Sequence, residues 1–124
     1  MGYRYLNADW VAMMSQDDRE LLQDLYNLFS EQCGRLTEFL AQIPKNPPID
    51  SQAANALADL LHKTRGSASS LGIQHIPDAM RALEAEVRSG AAWDSVESTL
   101  HALHSQLNEA LGEFRSYIEA QAGR

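Results

Sequence analysis

The sequence is short of several things, and each shortage removes a class of function. Cys33 is its only cysteine, so it can form no intramolecular disulfide and hold no cysteine zinc cluster. A lone thiol fits a reducing compartment, which places the chain in the cytoplasm. Four prolines and seven glycines among 124 residues leave long stretches without a helix breaker. Basic charge is scarce. Ten Lys and Arg stand against seventeen Asp and Glu, a formal net charge of −7, and no basic run is present. Nucleic-acid binding, which needs clustered cations to displace phosphate counterions, is therefore not expected, nor is attraction to an anionic membrane surface. No apolar run approaches the roughly 18 residues of a membrane span. The opening residues Met1 to Leu6 read as neither a signal peptide nor a myristoylation site.

What is present is helix-forming. Hydrophobic residues make up 44% of the chain, enough for one core, and the length fits one domain over residues 1–124. Leu and Ala dominate over Val, Ile and Thr, which favours helices over strands. Asn7 caps a short first helix holding Trp10, Val11, Met13 and Met14. Ser15 is expected to cap a second, with Asp18 three residues on as a variant capping box. Its stripe is Leu22, Leu25, Phe29, Leu36, Phe39, Leu40 and Ile43. A proline-rich link over 44–48 breaks it. Asp50 or Ser51 starts a third helix running to Leu71, with Gly72 as its stop. Pro77 suits the first turn of a fourth helix, striped by Ile76, Met80, Leu83 and Val87 and ended by Ser89-Gly90. Trp93, Val96, Leu100, Leu103, Leu107, Leu111, Phe114 and Ile118 draw the last. The expectation is an all-α fold: an antiparallel four-helix bundle with the short N-terminal helix across one end.

The informative stretch is Leu60 to Gly72. At 100° per residue, Leu57, Leu60, Leu61, Thr64, Ala68 and Leu71 cluster on the core side, and His62 falls roughly 170° from their centre. It points at solvent from the middle of a helix, with Asn55, Asp59, Gly66 and Ser69 on the same outer face and Lys63 and Arg65 beside it. A mid-helix glycine costs about 1 kcal/mol relative to alanine. At Gly66 it would clear space over the imidazole for a bulky reactant or another protein's backbone. The cations of Arg65 and Lys63 would suit the oxygens of a phosphoryl group.

The run His62-Lys63-Thr64-Arg65-Gly66-Ser67-Ala68, followed by Leu71-Gly72, resembles the signature of histidine-containing phosphotransfer (HPt) domains. The order of helices resembles that family over essentially the whole chain. Thr64 stands where the family usually has Leu. Facing the core, it must bond the carbonyl of Leu60 or lose packing. Arg65 replaces the more usual Lys and keeps the charge. The resemblance implies a phosphorelay carrier: the His62 imidazole, nucleophilic when neutral, takes a phosphoryl group from a receiver-domain aspartate and passes it to a response-regulator receiver. A hybrid sensor histidine kinase would feed it, and the receiver would supply Mg²⁺. The chain would need no cofactor of its own, would act as a monomer and would not be an enzyme. It has no Gly-rich phosphate loop or Walker-type motif, so no ATP site or autokinase activity is expected. Receiver docking is expected to use Asp59, Lys63, Arg65, Gly66 and Ser69, with apolar help from Met13 or Met14. The alternative is a non-catalytic interaction module that sequesters a kinase or receiver. Its discriminating feature would be loss of the histidine, and His62 is present.

Other residues read more plainly. His101 and His104 would suit a metal pair, but no Glu-x-x-His occurs, and they read as surface residues. Cys33 reads as a small packing residue. Glu84, Glu86 and Arg88 read as a solvated helix face, from which Arg88 could reach the phosphoryl site.

Overall fold

The computed structural model describes residues 3–16, 18–42 and 50–122. Met1, Gly2, Ile43 and the 44–48 link, all read above, lie outside them. Five helices follow in order: α1 (Ala8–Ser15), α2 (Arg19–Gln42), α3 (Ser51–Ser70), α4 (Ile76–Arg88) and α5 (Trp93–Ala122). No strand occurs among the described residues; one isolated bridge joins Leu6 to Ile73. The helices α2 to α5 pack in a closed ring, each against two neighbours, with α3 and α4 the most extensive pair. Short connections between successive members force the antiparallel arrangement. This is the expected all-α bundle.

The helix ends follow local chemistry. Asn7 caps α1, its Oδ1 accepting from the Trp10 N–H, and Asp50 caps α3 through the Ala53 N–H at 2.7 Å. Gly72 and Gly90 take positive φ after α3 and α4, where a glycine carries no steric penalty. Two boundaries differ from the sequence reading. Helix α3 ends at Ser70, with Leu71 as the cap residue. Ser15 does not cap α2. It is the buried last residue of α1, and its carbonyl accepts from the Asp18 N–H. Asp18 is the cap instead, accepting from Leu21 N–H at 3.0 Å.

The core is continuous. Phe29, Leu36, Leu57, Leu61, Met80, Leu83, Leu100, Leu107 and Phe114 are fully enclosed, and truncating Phe29 or Phe114 to Ala would cost about 3–5 kcal/mol. Helix α2 also buries Tyr26, whose ring stacks on Phe114 at 5.6 Å, while Leu25, Phe39 and Leu40 are only partly covered. On α5 the stripe turns as it advances: Ala110 and Tyr117 are buried, whereas Leu111 and Ile118 lie at its edge. Cys33 is buried, and that burial pushes its thiol up to about 12, as befits a packing residue.

The N-terminal segment is strapped across one end. The Glu113 carboxylate accepts the backbone N–H groups of Arg4, Tyr5 and Leu6. Backbone bonds from Asn7 to Gly72 and from Gln74 to Tyr5 tie the segment to the α3–α4 connection. Helix α1 then lies against the C-terminal end of α3, with the Trp10 Nε1–H donating to the Ser70 carbonyl at 3.1 Å. No helix of the described residues is long and apolar enough to cross a membrane.

Candidate functional site

The site is built on the middle of α3. Leu57, Ala58, Leu61, Thr64 and Ala68 are its buried positions, and their spacing of three and four residues fixes its rotation about its axis. Thr64 is reconciled with the core by donating its hydroxyl to the Leu60 carbonyl at 2.7 Å. With that face turned inward, His62 turns outward, its side chain 60% exposed. Gly66 sits one turn on. A Cβ there would meet nothing within 4 Å, so the glycine is not forced by helix packing.

The two edges of the imidazole differ. Nδ1 faces α4, 3.0 Å from Arg65 Nη2 and 3.5 Å from Glu84 Oε1. Nε2 has no hydrogen-bond partner among the described residues and opens to solvent. Glu84 is in turn held. Its Oε2 accepts from Arg88 Nε at 3.0 Å, and Arg88 Nη2 reaches Asp59 Oδ1 at 3.2 Å. Burial pushes the Glu84 carboxyl up, but the Arg88 hydrogen bond and the nearby charges of His62 and Arg88 outweigh it, leaving Glu84 below the usual glutamate range. The same bond raises Arg88 above its ordinary value.

The residues singled out in the sequence therefore divide between two flanks. Arg65 and Asp59 lie on the α4 side, Arg65 against the imidazole and Asp59 paired with Arg88. Lys63 lies on the α2 side, where it lines a shallow groove with Gly66 and Ser70 of α3 and Leu25, Leu28 and Gln32 of α2. Ser69 is exposed. Met13 is exposed and Met14 packs partly against the core. Both belong to α1, docked near Ser70, roughly 12 Å along the α3 axis from His62 at 1.5 Å per residue.

Three contributors were not recognised in the sequence. Glu84, read as part of a solvated face, is only 14% exposed and points at His62. Its position four residues after the buried Met80 puts it at the edge of the apolar stripe that faces α3, a signal available from spacing alone. Leu28 and Leu21 are the others, exposed apolar residues on α2 at 48% and 39%. With Leu25 they repeat at intervals of four and three and form a second, outward stripe. The remaining histidines stand apart. His75 adopts φ +73° before α4 without a side-chain cap, His101 is exposed, and His104 Nε2 lies 2.6 Å from Thr37 Oγ1. Among the described residues no group of three His, Cys, Asp or Glu could hold a metal ion.

An outward imidazole with one nitrogen held and the other open, cleared above by a glycine and flanked by cations, can act as a nucleophile toward an anionic group arriving from outside. Comparison with known proteins agrees in kind. A family model described as Hpt domain matches residues 9–116. No curated protein and no solved structure gives a match.

Proposed function

The chain belongs to the Hpt domain family, and on that premise we propose that its residues 1–124 form one carrier domain in which His62 Nε2 bears the phosphoryl group. The observation that carries this reading is the asymmetry of the ring: Nδ1 is occupied on the α4 side, while Nε2 has no hydrogen-bond partner among the described residues on a mostly exposed side chain one turn from Gly66. The family acts in histidine phosphotransfer within two-component signalling. The donor is a receiver-domain aspartyl phosphate, fed by a hybrid sensor kinase, and the acceptor is the aspartate of a response-regulator receiver. In each direction the receiver brings the aspartate and Mg²⁺. This chain brings a positioned imidazole, the Arg65 cation for the phosphoryl oxygens, and a surface to dock on. It works in the cytoplasm, as a monomer, without a nucleotide site.

The docking surface in this reading lies on the α2 side of His62. Leu21, Leu25 and Leu28 of α2 supply an apolar strip, Trp10 and Met13 of α1 extend it, and Lys63 and Ser70 form the polar rim. A receiver settling there would place its aspartate over Gly66. Small apolar centres with polar rims are typical of transient signalling contacts. Incubation with a phosphorylated receiver, followed by peptide mapping of the acid-labile label, tests the assignment. Label on the His62 peptide is the expected result, and label on His75, His101 or His104 instead would overturn it.

A further inference from the structure

Two groups compete for one atom of the His62 ring. Arg65 Nη2 lies 3.0 Å from Nδ1, and Glu84 Oε1 lies 3.5 Å from the same nitrogen. A guanidinium only donates hydrogen bonds, and a carboxylate only accepts them. The two contacts therefore require opposite states of Nδ1: a lone pair for Arg65, an N–H for Glu84. In a neutral imidazole the choice at one nitrogen dictates the other. A lone pair on Nδ1 puts the proton on Nε2, where it blocks attack. An N–H on Nδ1 leaves Nε2 nucleophilic. The Arg65 contact is the shorter of the two, and it corresponds to the tautomer with the proton on Nε2.

We propose that Arg65 and Glu84 are alternating partners of His62 Nδ1, and that exchange between them switches Nε2 from a blocked to a nucleophilic state when a phosphoryl group arrives. This rests on the carrier reading and adds a positioning role for Glu84 on α4. An incoming phosphoryl group offers Arg65 two oxygens in the planar, bidentate arrangement a guanidinium prefers. Arg65 leaves Nδ1 for them. Nε2 gives up its proton to water, Nδ1 takes one from water, and the new N–H donates to Glu84 Oε1. Glu84 is ready for this because its other oxygen is fixed by Arg88, itself fixed by Asp59. In the transfer step the Nε2 lone pair attacks phosphorus, the bond from phosphorus to the aspartyl oxygen breaks, and the carboxylate departs. The phosphorylated ring keeps its Nδ1 proton, and its positive charge is paired by Glu84. On the return step a receiver carboxylate oxygen attacks, the P–N bond breaks, and the ring leaves neutral with the Nδ1 proton in place. The exchange of protons with water is complete before the P–N bond forms, so the bond-making and bond-breaking steps themselves move no proton.

The test combines a spectrum and a rate. Long-range ¹H–¹⁵N NMR of the full chain at pH 8, above the ordinary imidazole range, reads which His62 nitrogen carries the proton. The wild type is expected to show Nε2–H and the Arg65→Ala variant Nδ1–H. Labelling by phosphoramidate, a small donor that needs no docking surface, reads the nucleophile. Glu84→Ala is expected to slow His62 labelling about tenfold, the equivalent of one charge-assisted hydrogen bond, and Glu84→Gln, which retains an accepting oxygen, to recover most of the loss. Identical tautomers in wild type and Arg65→Ala would overturn the proposal, as would undiminished labelling of Glu84→Ala. Wild-type His62 that phosphoramidate and phosphorylated receivers both leave unlabelled would overturn the carrier reading itself, and the NMR comparison separates that failure from this one.

Discussion

Trp10 stands directly on Gly72. A Cβ added at that glycine would overlap the indole ring, and the glycine itself has φ +73°. The same indole donates to the Ser70 carbonyl, so one aromatic side chain clamps α1 to the end of the helix that carries His62. Gly72→Ala combines backbone strain with a steric clash, and a loss of about 1–3 kcal/mol is expected. Gly66→Ala is the contrast. Its Cβ meets nothing within 4 Å, and helix propensity predicts a gain of up to about 1 kcal/mol. Urea denaturation of both variants measures the difference, and equal stabilities would refute the account of Gly72.

Acid should loosen the contact between α3 and α4 through Glu84. Its carboxyl lies below the ordinary value of 4.5 in the folded chain, so the folded state binds this proton less readily than the unfolded one. The stabilisation is present above 4.5 and is lost as pH falls through the lowered folded value. Glu84→Gln removes that component. Urea unfolding between pH 3 and pH 7 is expected to show a steeper acid-side decline for the wild type than for the variant, and parallel curves would contradict it.

The Cys33 thiol is buried, with burial pushing it up to about 12, and thiolate is the reactive form. Iodoacetamide at pH 8 is expected to leave the folded chain unmodified over a period in which the urea-unfolded chain is fully alkylated. Rapid modification of the folded chain would show that α2 opens far more readily than its packing implies.

Leu28 projects from α2 beside the groove that Lys63 and Gly66 line. Leu28→Glu is expected to slow transfer from a phosphorylated receiver tenfold or more, about the effect of losing a central apolar anchor, with helicity unchanged. His101→Ala, on the exposed side of α5, is expected to transfer as the wild type does. Equal rates for the two variants would move the docking surface away from α2.

Much of this was legible in the sequence because helix periodicity reports which face of a helix is buried. Ile76, Met80, Leu83 and Val87 were read as the inner face of α4, and all four are buried. The outward direction of His62 followed from the same wheel, as did the inward direction of Thr64, whose two alternatives, a bond to the Leu60 carbonyl or lost packing, resolve as the bond. Periodicity says nothing about how one helix is rotated and shifted against the next. Glu84 therefore read as solvated, although α4 brings it to the imidazole, and the flanking positions of Arg65 and Lys63 did not reveal that one meets α4 and the other the groove against α2. The cap of α2 was misplaced for a local reason. Ser15 and Asp18 are both capping residue types, and the apolar contacts of α1 carry that helix through Ser15.

The central claim is that His62 carries the phosphoryl group. Its side chain is mostly exposed, so His62→Gln removes the nucleophile with little loss of packing. The direct measurement is transfer of labelled phosphate from a phosphorylated receiver to wild type and His62→Gln side by side, with helical circular dichroism on both. The account predicts unchanged helicity and no label on the variant. Undiminished labelling of a folded His62→Gln protein would contradict it.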